Sequence, residues 1–403
     1  MHNSFSDMKL ESSEQNVFNE YWILNYIGIV ICIILASYSP LIAFYAGTIF
    51  LLVCSQYLDR KAVKWIGYVC AYAGSVMAAS RKTFADSDDF SHYYDAYLSI
   101  LKDGWQVVFE PYGTEIGLPA YYFVLSKLGI ESQIYPLFAV ALLGSGLFVF
   151  WLEKYGAFNF PPDRFGTVMA SSLIFYGFMQ ASLISRQMMS LSIVLIAVSS
   201  AGWRSIIWLF TAILFHQSSL LIFILFKYAK KLTWLTATLV ICSGIIFMLF
   251  FNKITEVAVA SNVDFIRVVS KFAYYTTSEE SFTGPDLSGL KFVSLTCLAG
   301  FLAYKFMPKG WGLLILIVVV LYILLLPFPL ISLRTFLIFV AVLAGYIAAF
   351  MAFRIGWPMF SWLTTAYAFY TILKQFHVEE GYPFQLWDKF DWIGNYPLYY
   401  FLN

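Results

Sequence analysis

The chain has 403 residues with a net charge of +1 and a pI near 7.6, so no whole-molecule basic field exists to attract nucleic acid. Sixty per cent of the residues are hydrophobic, 12% are charged and the mean hydropathy is +0.73. This excludes an ordinary water-soluble domain, in which roughly a quarter of the residues are charged, and makes lipid the solvent for most of the chain.

The opening stretch holds Asp7, Lys9, Glu11, Glu14 and Glu20, with no basic start and no small-residue cleavage site after the apolar run that follows. It reads as a flexible cytoplasmic tail over residues 1–20 rather than a cleaved signal. The expected spans are then 21–38, 40–57, 65–80, 134–152, 167–184 and 187–201, followed after an unusual segment at 205–226 by 232–251, 289–307, 311–330, 335–353 and 356–373. No alternating ten-residue pattern of a membrane barrel is present. The fold class is an all-α polytopic membrane protein of about eleven transmembrane helices plus a re-entrant segment, in one transmembrane domain over 21–373. Cys32, Cys54, Cys70, Cys242 and Cys297 lie in or beside apolar runs without paired spacing and read as small core residues.

Two hydrophilic loops interrupt the spans, 81–133 and 252–288. The first carries eight acids against four bases and includes two weakly amphipathic, aromatic stretches, 87–101 and 115–128, suited to helices at the membrane interface. Arg60, Lys61 and Lys64 assign their connector to the cytoplasm, which makes 81–133 periplasmic and the 154–164 turn cytoplasmic. If 205–226 enters and returns, the Lys227, Lys230 and Lys231 cluster is cytoplasmic too, and the second loop is periplasmic. The tail 374–403, with Trp387, Trp392, Tyr396, Tyr399 and Tyr400, is expected to be interfacial.

Ionisable side chains in an apolar context are costly and therefore candidates for function. Three stand out: Arg186 at the junction of two spans, His216 inside 205–226, and Arg334 after the Pro327 and Pro329 break. The bland alternatives are a snorkelling arginine and a structural histidine. In the first loop Asp86, Asp88, Asp89, His92, Tyr93 and Tyr97 cluster, and a helix would put Asp89, His92 and Tyr93 on one face. Such a cluster could bind a cation, act as a base, hydrogen-bond sugar hydroxyls, or simply be solvated. No zinc pattern or phosphate-binding glycine loop is present.

At these residues the sequence resembles the EpsG/Wzy group of bacterial polysaccharide polymerases. Asp89-Phe90-Ser91-His92-Tyr93 followed by Tyr97 is similar to that group's D-[YF]-x-x-Y pattern, and Glu115-Ile116-Gly117-Leu118 to its E-x-G segment. Ser185-Arg186-Gln187 is similar to its R-Q pair, and Phe215-His216-Gln217-Ser218 to its F-H-x-S. Departures are Phe90 for the commoner tyrosine, Met188-Met189 after the Arg-Gln pair, and a tail without the usual basic residue.

The resemblance implies a multi-pass protein of the bacterial inner membrane that polymerises undecaprenyl-diphosphate-linked repeat units at the periplasmic face. Its partners would be the lipid-linked donor and acceptor glycans, the bilayer and a chain-length regulator. His216, Arg186 and Asp89 are then the expected catalytic residues. Arg334, Asp86, Asp88, His92, Tyr93, Tyr97, Glu115, Gln187 and Ser218 are the expected substrate contacts. No cofactor and no metal are called for, although Asp88 and Asp89 leave a divalent ion open. Two rivals share the lipid-linked glycan, a ligase and a flippase. The spans at 187–201, 232–251 and 311–330 carry no charge to line a transport path.

Overall fold

The computed structural model describes residues 21–80, 90–261, 290–326 and 336–376. Asp86, Asp88, Asp89 and Arg334, both tails and most of the second loop lie outside the described residues. Every regular element among the described residues is helical, as the hydropathy predicts. The chain divides into two compact units, one of residues 1–223 with 355–403 and one of residues 224–354.

The first unit opens with α1 (Trp22–Tyr38) and α2 (Pro40–Cys54). Between them Ser39 caps α2 by accepting the Ile42 N–H at 3.3 Å, and Pro40 occupies the first turn, where its missing N–H costs nothing. Next come α3 (Arg60–Ala79), α4 (Phe90–Asp103), α5 (Gly117–Ser126) and α6 (Ile134–Trp151). The two loop stretches expected to be amphipathic are thus the helices α4 and α5. The unit continues with α7 (Phe165–Ile174), α8 (Phe178–Leu183), α9 (Ser185–Ser199) and α10 (Gly202–Phe215), and α17 (Trp357–Phe376) returns to it near the end of the chain.

Small residues let these helices approach one another. Ser75 of α3 and Ser145 of α6 are buried and share a hydrogen bond of 3.1 Å, a contact worth making where neither hydroxyl can reach water. At one end of the unit Arg60 bonds the Glu153 carbonyl and pairs with its carboxylate at 3.5 Å, while Trp151 Nε1 donates to Ser199 Oγ at 2.9 Å. The start of α3 and the ends of α6 and α9 therefore share one end of the bundle.

The second unit is built from α12 (Trp234–Ser261), α13 (Leu290–Ala303), α14 (Trp311–Leu324), a π-helical turn Ile338–Val342, α15 (Ala344–Ala349) and α16 (Ala352–Ile355). Ala237, Leu313 and Ile317 form a buried cluster between α12 and α14. α11 (Ser219–Tyr228) straddles the division between the units.

Three expectations are corrected. The span expected at 167–184 is interrupted at 175–177, where Phe175 stacks on Tyr367 with ring centroids 4.5 Å apart and Tyr176 stacks on Phe148 at 5.2 Å. These two stacks hold the interruption against α6 and α17. The start of the expected second loop, 252–261, instead prolongs α12, since it contains neither glycine nor proline to stop the helix. The expected span at 335–353 is uneven, with an i to i−5 hydrogen bond from Leu343 N to Ile338 O at 2.7 Å.

Among the described residues, two helical runs are long and apolar enough to cross a membrane alone, Pro40–Tyr57 and Ile134–Asn159. The remaining apolar helices are shorter, so the expected spans do not appear as eleven full-length helices. Their outer faces are nonetheless apolar. Along α1, Trp22, Ile23, Tyr26, Ile27, Val30 and Ile34 are each at least half exposed, and α17 presents Met359, Trp362, Leu363, Phe369 and Leu373 in the same way. Water would penalise apolar surface on that scale, whereas hydrocarbon does not. The chain is a membrane protein.

Candidate functional site

The site begins with the path of α9 and α10. They pack along each other as a hairpin, closed at one end by Ser205 Oγ donating to the Ala197 carbonyl at 2.7 Å. With 15 and 14 residues they are nearly equal in length, so α10 climbs back to the level at which α9 began. His216, just past the end of α10, is therefore level with Arg186, in the first turn of α9.

The helix breaks at His216 because the backbone turns extended there (φ −159°, ψ 125°). The break is well supplied with partners. The His216 N–H donates to the Ala212 carbonyl at 2.9 Å, and Ser219 Oγ donates to the His216 and Ala212 carbonyls at 2.6 and 3.2 Å. The break thus falls within 205–226, the segment expected to be re-entrant.

Glu115, in the turn before α5, reaches into this break. The residue is 7% exposed, and a buried charge of that kind persists only when it is paired and hydrogen-bonded. Three donors meet it. The Gln217 backbone N–H donates to Oε1 at 3.0 Å, His216 Nδ1 lies 2.8 Å from the same oxygen, and Arg186 Nη1 donates to Oε2. Burial pushes the Glu115 carboxyl toward protonation, but the His216 hydrogen bond and charge, the Gln217 N–H and the Arg186 charge together hold it below its ordinary value of 4.5. Glu115 is thus an anion.

Gly117 makes this convergence sterically feasible. A Cβ at that position would lie 2.8 Å from the Phe215 ring and equally close to the Phe215 backbone nitrogen. The absence of a side chain lets α5 lie against the end of α10, and the residue after Phe215 then faces the residue two before Gly117. The spacing of Glu115 with Gly117 and of Phe215 with His216 has this one physical cause.

Arg186 is held from a second direction. Its guanidinium lies over the Tyr112 ring, 4.2 Å from the centroid, and 5.9 Å from that of Tyr93. The two rings are themselves 5.9 Å apart. Arg186 Nε is buried and has no hydrogen-bond partner among the described residues. The rim is closed by Gln217 Nε2, which donates to Thr114 Oγ1 at 2.7 Å, both residues being exposed.

The structure therefore brings together Glu115, Arg186, His216 and Tyr93 of the residues expected from the sequence. Gln187 is buried beside Arg186 on α9, and Ser218 follows the break with its hydroxyl buried. His92 is exposed while Tyr93, its neighbour on α4, is buried, so the two do not share a face. The His92 carbonyl accepts from the Tyr112 hydroxyl at 3.3 Å. Tyr97, also expected as a substrate contact, lies in the core. It is fully buried, donates to the Ile130 carbonyl at 2.7 Å and packs its ring against Tyr122 and Tyr135.

Tyr112 and Thr114 are missed by the sequence reading. Their only signal is proximity to Glu115, and the many tyrosines of this chain read first as interfacial anchors.

No curated protein and no solved structure matches the chain. A sequence model of the EpsG family matches residues 64–386, a stretch that includes α4, α5, α9 and α10 and so every side chain gathered around Glu115. Since that match covers most of the chain and all the parts of the site, the chain belongs to the EpsG family.

Proposed function

We propose that the protein is a membrane-embedded glycosyltransferase of the bacterial inner membrane that joins lipid-diphosphate-linked oligosaccharide repeat units into a surface polysaccharide. The family supports polysaccharide polymerisation in general terms. The observation that carries the specific reading is the meeting of Arg186, His216 and Glu115 at the end of the first unit from which the loop helices α4 and α5 arise. With the Arg60 end cytoplasmic, the Glu115 end is the periplasmic one, where lipid-linked glycans would be polymerised. In this reading the short and interrupted helices still make about eleven crossings, and 205–226 rises to His216 and returns.

The chemistry asks for a base and a cation. An acceptor hydroxyl attacks the anomeric carbon of the growing chain as the bond from that carbon to the diphosphate oxygen breaks. The electron pair leaves on the lipid diphosphate, and the hydroxyl proton passes to His216. Arg186 faces the charge that develops on the leaving group, which its planar guanidinium suits. Ionised Glu115 and Arg186 cancel in charge. Once His216 takes the proton the cluster carries one positive charge, present only while the diphosphate departs. The exposed Gln217 and His92 are the proposed sugar contacts, with Tyr93, Gln187 and Ser218 behind them. Asp86, Asp88, Asp89 and Arg334 remain proposed contributors.

Deletion of the gene, with analysis of lipid-linked and surface glycan, tests the reading. A polymerase mutant keeps single repeat units on lipid and loses long chains. A ligase mutant makes long chains but fails to attach them, and a flippase mutant accumulates repeat units inside the cell; either result overturns the proposal.

A further inference from the structure

Glu115 was expected to touch substrate, yet its carboxylate is buried and already engaged by three protein donors. A sugar hydroxyl or a diphosphate has little carboxylate surface left to meet. What these contacts decide instead is which nitrogen of His216 holds the proton. Oε1 accepts from the Gln217 N–H, so it cannot reverse its polarity to donate toward His216. Oε2 accepts from Arg186, and the carboxyl is held below its ordinary value, so it carries no proton to offer. The remaining interaction, Oε1 to His216 Nδ1 at 2.8 Å, therefore requires the proton on Nδ1. Among the described residues no group bonds Nε2.

We propose that Glu115 is a positioning residue that fixes neutral His216 as the Nδ1–H tautomer, with Nε2 turned out as the proton acceptor, and that Arg186 and the Gln217 N–H in turn fix Glu115. In the reaction the acceptor hydroxyl's proton moves to Nε2 and Glu115 stays ionised throughout, stabilising the imidazolium until the proton is released to water. The role given to Nε2 rests on the polymerisation reading. The tautomer does not, because it is a property of the protein without substrate.

Ring-15N histidine labelling of the purified full-length protein in detergent at pH 8 reads the tautomer directly. The chain has four histidines, and the His216 signals are those lost in His216→Gln. The expected wild-type pattern is a protonated Nδ1 and a bare Nε2. Glu115→Gln should abolish that fixed pattern, since an amide can donate to Nδ1 as readily as accept from it. Its rate of chain elongation should fall by about 10²-fold or more, in line with the contribution of general base catalysis. Glu115→Asp keeps a carboxylate and should retain the wild-type tautomer with a smaller loss of rate, which separates positioning from folding. A wild-type His216 carrying its proton on Nε2 overturns the proposal outright, as does a Glu115→Gln protein that elongates glycan normally. If the Nδ1–H pattern is found and depends on Glu115 but deletion shows a flippase phenotype, the positioning role stands and the polymerase reading falls.

Discussion

Replacing Gly117 with alanine introduces one methyl group that adds no charge and no hydrogen bond, yet it should disable the site. The new Cβ would lie 2.8 Å from two atoms of the Phe215 ring and from the Phe215 backbone nitrogen, whereas ordinary contact begins at 3.4 Å, so α5 and the end of α10 must separate by about 0.6 Å. Rotation of the ring does not relieve the contact with the nitrogen. Glu115 precedes Gly117 by two residues and His216 follows Phe215 by one, so the 2.8 Å hydrogen bond between them opens toward 3.4 Å, at the edge of what still counts as a bond. Overpacking of this kind costs about 1–3 kcal/mol, which a domain survives, while a misplacement approaching 1 Å at a reacting group costs about 10²-fold in rate. Gly117→Ala should therefore reach normal abundance in the membrane and lose long-chain glycan when it complements the deletion strain. Gly146→Ala on α6 is the control, because a Cβ there meets nothing within 4 Å and should be silent. A Gly117→Ala protein that elongates glycan at the wild-type rate would refute the claim that this contact sets the site.

Arg186→Lys should be nearly as damaging to elongation as Arg186→Ala. A lysine cannot pair with Glu115, cover the Tyr112 ring and keep a further donor for a ligand at once; recovery of near-normal chain length with lysine would reduce Arg186 to a counter-charge. Because the folded Glu115 carboxyl lies below its ordinary value of 4.5, its contribution to stability is present above that pH and is lost as the pH falls through the folded value. Thermal unfolding in detergent should accordingly show a midpoint that drops more steeply below pH 4.5 for wild type than for Glu115→Gln, and parallel curves would contradict the linkage. In a cysteine-free background, a cysteine at position 92 should react with a membrane-impermeant reagent from the periplasm while one at position 230 should not; labelling at 230 would remove the returning path of 205–226.

Much of this protein is legible from residue order alone. Helical structure throughout the described residues, the positions of most helices and the capped turn at Ser39 and Pro40 follow from hydropathy and local backbone chemistry, which act over a few residues. Arg186, His216 and Glu115 could be singled out for the same reason, since an ionisable group in apolar surroundings or a recurring short pattern is visible without a fold. The interruption at 175–177 and the extension of α12 were not legible in the same way. The first depends on rings from distant helices, Phe148 and Tyr367.

Only tertiary structure decided what the singled-out residues do to one another. Glu115 is separated from Arg186 by 71 positions and from His216 by 101, and no periodicity reports on a distance of that kind. Its carboxylate was expected to meet substrate, and the return of α10 to the level of Arg186 instead buries it between Arg186 and His216. Tyr97 and Tyr112 show the same limit in opposite directions. Both are loop tyrosines in similar company, but one is buried with its hydroxyl bonded to Ile130 and the other carries the guanidinium of Arg186 on its ring. The sequence by itself determined which groups are chemically capable and that lipid surrounds them. The packing of α5 against α10, which needs a glycine on one side and a phenylalanine on the other, determined that three of those groups form a single site, because a hydrogen bond is made or lost within a few tenths of an ångström and only packing sets positions that finely.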